Sequence, residues 1–256
     1  MNTLFLRLEG PLQSWGLRSQ WGIRDTSNAP SKSGLIGLLG CAMGLRRANP
    51  ELVHLSRALR LGIRIDRPGT LLRDYHTTGG GSFGGQRHYG GSRFHDEPYA
   101  GGVLSAEVIK KRIKVKVNAT TKEPETDTSE RYYLADASFL AALQGDAELI
   151  ARCAKAVQAP YWPLFLGRKS CVPSQPIYQG LGQFDSLEQA LQSQALAERS
   201  ATDTIRMLIE AKPGQGNRQN DNLGNAAQRV FEPRFVSEIW WSIADQTETP
   251  INTLEG

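Results

Sequence analysis

Tyr75 and His76, with lysines elsewhere in reach, are the residues of this chain best suited to acid–base chemistry. Metal-free cleavage of RNA needs a base to activate the 2′-hydroxyl and a cation to steady the phosphorane, and His, Tyr and Lys supply both. The signal is weak, because adjacent residues on an extended backbone point in opposite directions and do not readily share one phosphate. Other chemistries lack their residues. Ser31-Lys32-Ser33 has no glycine spacing ahead of its lysine, so there is no Walker loop. The glycines of 79–85 have no preceding strand-to-helix frame, which argues against a dinucleotide site. No HExxH, no paired metal carboxylates and no nucleophile elbow occur. No cofactor and no metal are expected.

Anion binding is better represented. Ser31 follows a proline and is a credible N-cap; the free N–H groups of the next turn, at Ser33 and Gly34, with Lys32 beside them, suit a phosphate. An ordinary buried helix with a solvated lysine at its start is the plainer alternative. Gln13-Ser14-Trp15-Gly16 is expected to expose a large aromatic beside polar groups, with Arg18 and Arg24 on the path to the helix. Arg73, Tyr75, His76 and Arg87 lie in a stretch with three of the four histidines and many glycines. Lys110, Lys111, Arg112, Lys114 and Lys116 interleave with Ile113, Val115 and Val117, which reads as a strand with one basic face. Gly167-Arg168-Lys169 is a second glycine–basic turn. Glycines, cations and aromatics together favour single-stranded nucleic acid; a floppy insertion whose lysines keep it soluble is the competing reading.

The elements that must position these residues follow from periodicity. Leu4–Glu9 reads as a strand ended by Gly10-Pro11. A helix follows Ser31, with Leu35, Leu38, Leu39, Ala42 and Leu45 on one face and Gly37, Gly40 and Gly44 on a strip where another backbone is expected to come close. Leu59–Asp66 alternates as a strand whose face of Arg60, Gly62, Arg64 and Asp66 is expected to meet water or a charged ligand. Strand–helix–strand suggests a right-handed crossover unit of the ferredoxin-like kind. Residues 67–130 have no core pattern, and so long a loop is functional or partly disordered. Tyr132–Leu143 returns to order, Asp146 can cap a helix carrying Ile150, Cys153, Ala154 and Val157, and Pro160 ends it. Tyr161-Trp162-Pro163 leads into the second basic turn. Ser186 with Gln189 forms a possible capping box. Thr204–Glu210 and Phe235–Ile243 read as strands around a flexible Gly/Asn/Gln-rich loop at 212–229.

A chain of 256 residues can bury a proper core in one large or two small domains. A net charge of +4 and a pI near 9.0 permit a polyanionic partner without demanding one. Three cysteines lie far apart without a CxxC pair, which fits a reducing cytosol better than a disulfide framework or zinc site. A strand bearing Arg7 and Glu9 stands where a signal peptide would, and the glycine-broken helix is too short to span a bilayer, so a cytoplasmic protein with no membrane contact is expected.

Five segments in order carry a resemblance: Gly10-Pro11-Leu12-Gln13-Ser14-Trp15-Gly16, Pro30–Gly40, Leu72-Arg73-Asp74-Tyr75-His76-Thr77, Tyr133–Phe139 and Leu166–Cys171. In these the chain resembles the CasD family, the family-five subunits of the type I-E CRISPR surveillance complex, Cascade. The resemblance implies an α+β fold: a ferredoxin-like (RRM-like) core in 1–66 and 131–180, a glycine-rich loop and β-hairpin thumb in 67–130, and a smaller β-rich extension in 181–256. It implies a non-catalytic role, holding the 5′ handle of the crRNA, beside CasC backbone subunits and the large subunit CasA, with target DNA met through the assembled complex. Processing would belong to a separate subunit, CasE. The RNA contacts expected on this basis are Gln13, Trp15, Arg24, Lys32, Ser33, Gly34, Arg73, Tyr75, His76, Arg87, Lys110, Arg112, Lys114, Arg168 and Lys169. Residues 79–108 and 212–229 depart from the family pattern. The aromatic RNP motif of typical RRMs is also missing, so glycine and basic turns rather than the sheet would hold the RNA. Two rivals stand beside this: a metal-free repeat endoribonuclease like the related type I-C subunit, and a generic single-strand binder.

Overall fold

The computed structural model describes residues 1–16, 22–47, 49–78, 82–83, 86–87, 127–198, 203–222 and 231–243. In chain order these form β1 (Asn2–Glu9), β2 (Leu12–Gln13), β3 (Ile23–Arg24), α1 (Lys32–Ala42), α2 (Glu51–Ala58), β4 (Arg60–Arg67), β5 (Thr70–Thr78), β6 (Ser82–Phe83), β7 (Gln86–Arg87), β8 (Asp127–Ala135), β9 (Ser138–Gly145), α3 (Ala147–Gln158), β10 (Tyr178–Gln183), α4 (Leu187–Ser193), β11 (Thr204–Ala211), β12 (Asn217–Asn222) and β13 (Phe231–Ser242). The chain divides into two compact units, one of residues 1–18, 25–72 and 132–256, the other of 19–24 and 73–131.

A seven-stranded sheet, ordered β10-β1-β9-β4-β11-β13-β12, is the frame of the first unit. β1 and β4 both run antiparallel to β9, which lies between them, so they are parallel to each other and joined through α1 and α2. β9 is buried along its whole length. Its pleat sends Phe139, Ala141 and Leu143 into one core with Leu4, Leu6, Leu8, Leu35 and Leu39, and Leu140 and Ala142 into another with Phe5 and Leu191. Strands buried on both faces read as nearly continuous apolar runs, as Leu4–Leu8 and Phe139–Leu143 do.

Local signals place the helices. Ser31 Oγ accepts from the Gly34 N–H at 3.2 Å, Asp146 Oδ1 from Leu149 N–H at 2.8 Å, and Ser186 Oγ from Gln189 N–H at 3.1 Å. Ile150, Cys153, Ala154 and Val157 are the buried stripe of α3.

Four expectations change. The polar face of β4 meets water only at Arg60: Arg64 is 0% and Asp66 3% exposed, covered by α4 and the segment that follows it. The glycine strip of α1 is not a backbone crossing. A Cβ at Gly37 would meet nothing within 4 Å, while one at Gly40 would run into the Leu52 side chain. The order expected across Tyr132–Leu143 is two strands, broken where Asp136 takes φ +55°. Residues 217–222, expected to be loop, form β12 because β13 supplies a partner from Asn217↔Val236 to Asn222↔Phe231.

The second unit is built on the outer half of β8. Ile23 and Arg24 of β3 pair in parallel with Glu130 and Arg131. β5, in the stretch without a core pattern, is a strand that pairs with β8. Lys110, Arg112 and Lys114, and the rest of the basic stretch 109–117, lie outside the described residues.

Candidate nucleic-acid interface

The chain leaving β1 turns inward. Gln13 is fully buried; its Nε2 donates to the carbonyls of Leu8 (2.9 Å) and Ala137 (2.8 Å), and its Oε1 accepts from Trp15 Nε1 at 3.1 Å. Trp15 is 1% exposed, not the displayed aromatic expected from sequence. Its indole packs on the first turn of α1, where a Cβ at Gly34 would lie 2.8 Å from the ring. Gln13 and Trp15 therefore shape this corner from within. The signal for it was present in the Gln-x-Trp spacing and in a glycine at the helix start, but each has many other readings.

Lys32 also departs from expectation. Its Nζ sits 2.9 Å from both carboxylate oxygens of Glu210, and its side chain is 5% exposed. Glu210 Oε2 accepts from Leu61 N–H as well, at 3.0 Å. The lysine thus fastens α1 to β11 and β4, and its charge is neutralised by a residue of the last third of the chain. The free phosphate-binding cation read at this position is not there. Ser33 is half-buried, and the Gly34 N–H is taken by the Ser31 cap. Lys32→Ala should cost about 1–3 kcal/mol by leaving a half-buried carboxylate unpaired, seen as a lower urea midpoint. The salt dependence of RNA binding should not move, and a flattened slope would return Lys32 to the interface.

The second basic turn holds its shape through Leu166 N–H to Cys171 O (2.8 Å) and Cys171 N–H to Arg168 O (2.9 Å). It is joined to the first by Ser14 N–H donating to Leu166 O at 3.0 Å. Arg168 lies 4.7 Å above the Tyr133 ring, and its Nη1 and Nη2 donate to the carbonyls of Tyr132 (3.2 Å) and Asp25 (3.4 Å). Trp15 N–H donates to Thr26 Oγ1 and Ser27 N–H to Trp15 O, both at 2.8 Å. Gln13, Trp15, Gly34 and Arg168 are thereby brought into one constellation. Lys169, next to Arg168, is exposed and makes no ion pair among the described residues.

On β5 of the second unit, Arg73 pairs with Glu130 at 2.5 Å and lies 5.8 Å from the Tyr75 ring centroid. Tyr75 is 56% exposed. His76 Nε2 is 2.6 Å from Asp74 Oδ2. Arg73 and Tyr75 alternate with Asp74 and His76 along the strand, so Tyr75 and His76 point to opposite faces. Arg24 sits on β3 opposite Arg131, and the backbone of Arg87 on β7 pairs with Ser82. Among the described residues no cluster of His, Cys, Asp or Glu could hold a metal, and no helix is long and apolar enough to cross a membrane.

A mainly antiparallel-sheet α+β protein with a buried Lys32 corner and an exposed Lys169 turn is the class these observations define. Residues 3–238 match the family described as CRISPR-associated protein (Cas_Cas5), and the chain belongs to that family. It is 32% identical over 200 residues to the CRISPR system Cascade subunit CasD of Escherichia coli (strain K12), spanning 73% of this chain and 75% of that protein. Among solved structures, a chain of a CRISPR RNA-guided surveillance complex is similar with a TM-score of 0.66 and 30% identity, over 94% of this chain and 90% of that one. A structure described as a crystal structure of Cas protein is similar with a TM-score of 0.61 and 32% identity, over 94% and 95%.

Proposed function

We propose that this chain is a non-catalytic subunit of a type I-E CRISPR surveillance complex, cytoplasmic, holding the 5′ handle of the crRNA beside CasC and CasA subunits. The observation that carries the reading is the likeness to the Cascade subunit CasD across most of both chains. The strand order β10-β1-β9-β4, threaded β1-α1-β4-β9-α3-β10, supports a ferredoxin-like core, and the separate clustering of residues 73–131 supports a thumb-like insertion. β11, β12 and β13 are the extension, continuing the core sheet.

Handle phosphates are assigned first to Lys169, whose charge no carboxylate among the described residues neutralises. Arg168 acts through position, since its guanidinium is engaged with Tyr132, Tyr133 and Asp25. Tyr75, beside Arg73, is a candidate stacking surface for a base. In anisotropy titrations of a labelled handle RNA against the full chain, Lys169→Ser should weaken binding and reduce the salt slope by about 1. An unchanged slope would remove Lys169 from the interface. Incubation with repeat RNA in chelator should give no cleaved product; a discrete cut would overturn the non-catalytic reading in favour of a metal-free endoribonuclease.

A further inference from the structure

A second exposed aromatic site lies away from the residues assigned above. Tyr161 is 71% and Trp162 38% exposed, with ring centroids 4.9 Å apart and planes at 88°. The corner that displays them is fixed rather than loose. Tyr161 N–H donates to Ala42 O at 2.8 Å, closing the end of α1, and Cys41 Sγ lies 3.5 Å from Pro163 O. Gly44 takes φ +71°, and a Cβ there would stand 2.9 Å from Tyr161 Cγ, so the ring lies directly on the glycine. Held edge-to-face, the pair leaves ring surface open to solvent.

The two chain segments that meet at this corner carry basic charge only. Arg46 and Arg47 follow Gly44 directly after Leu45, and both are exposed without an ion pair among the described residues. Lys155, in the last turn of α3, is exposed and unpaired in the same sense. Neither stretch that meets here, 32–50 or 149–172, contains an aspartate or glutamate. The carboxylates that stand immediately beyond them are Glu51, which pairs with Arg152, and Glu148, in the first turn of α3 at the end opposite Tyr161. Fixed, solvent-facing aromatics among cations that no carboxylate of the described residues neutralises are the combination that binds single-stranded nucleic acid, with bases on the rings and phosphates on the guanidinium groups.

We propose that the Tyr161–Trp162 corner, with Arg46 and Arg47, is a second stacking platform for single-stranded RNA, carrying nucleotides beyond those held at the Lys169 turn. The inference rests on the RNA-binding reading above. The test titrates labelled single-stranded RNA, handle plus adjoining guide nucleotides, against the full chain. The variants are Tyr161→Ala with Trp162→Ala, Tyr161→Leu with Trp162→Leu, and Arg46→Ser with Arg47→Ser. Loss of base stacking should weaken binding about five- to 150-fold in both aromatic pairs with little change in salt slope. The leucine pair keeps apolar cover at the corner, so a fold defect in the alanine pair cannot imitate this result. The arginine pair should reduce the salt slope by about 1.5. Parental affinity in the leucine pair, with handle binding intact, overturns this platform alone. The same parental affinity joined to failure to enter the assembled complex shows a protein-docking face and also overturns it. A parent chain that binds no RNA overturns both this proposal and the function on which it rests.

Discussion

Asp66→Ala is expected to lower the unfolding free energy by about 3–5 kcal/mol, a large share of the stability of a domain. Its carboxylate is the only negative group bonded to two buried guanidinium groups among the described residues. Oδ1 accepts from Arg64 Nε at 2.6 Å, and Oδ2 accepts from Arg64 Nη2 at 3.0 Å and Arg7 Nη1 at 2.5 Å. Ala197 N–H adds a bond at 2.9 Å. The arginines then reach the chain leaving α4, Arg64 through the carbonyls of Leu191, Gln194 and Ala195 and Arg7 through Ala195. Without the carboxylate, two buried cations face each other and release the 191–197 segment. Urea denaturation followed by tryptophan fluorescence measures the loss. A drop below about 1 kcal/mol would show that water already reaches the cluster.

The same group sets a pH dependence. Burial pushes the Asp66 carboxyl up, but the hydrogen bonds and charge of Arg64, with those of Arg7, outweigh burial and hold it below its ordinary value of 3.8. A carboxyl depressed on folding binds fewer protons than in the unfolded chain. Its stabilisation is therefore fully present above the unfolded value and is lost as pH falls through the folded one. The urea midpoint of the parent should decline as pH drops below about 3.8, and Asp66→Asn should lack that part of the decline.

Gly167→Ala should be the most damaging substitution in the basic turns, destabilising by about 2–5 kcal/mol. The residue has φ +98°, a region that side chains rarely adopt, and a Cβ would stand 1.8 Å from Ser14 O. Backbone rather than a flexible side chain receives the clash, so the turn itself must move. Ser14 N–H would then part from Leu166 O, and Lys169 would lose its position. The expected readout is a lower melting temperature together with weaker handle binding, whereas Lys169→Ser should change binding alone. A Gly167→Ala protein that melts like the parent would show that the two turns yield easily.

Several features of the fold were legible because they are local. The caps at Ser31, Asp146 and Ser186 each join a side chain to a backbone N–H three residues on, a distance that sequence spacing specifies. The stripe of α3 and the strands around Phe5, Ile63 and Met207 declare themselves by period. Among the candidate contacts, Tyr75 and Lys169 stand exposed, while Trp15 and Lys32 do not. An aromatic beside glycine and polar residues reads as displayed until a helix with Gly34 closes over it. A lysine at a helix start reads as free until Glu210, 178 residues away, is placed against it.

What the sequence determined by itself was period, caps, turn residues and the motifs that place the chain in its family, all of them properties of neighbours along the chain. That both faces of β4 are covered, which strand partners 217–222 and which cations keep their charge for a ligand were decided only by the tertiary structure. Alternation says that a strand has two faces but not whether the polar one will be covered as well. Neutralisation is a property of pairs such as Lys32–Glu210 and Arg64–Asp66, and a pair exists only once folding has brought its members within about 3 Å, where Coulomb attraction and further hydrogen bonds offset the loss of hydration.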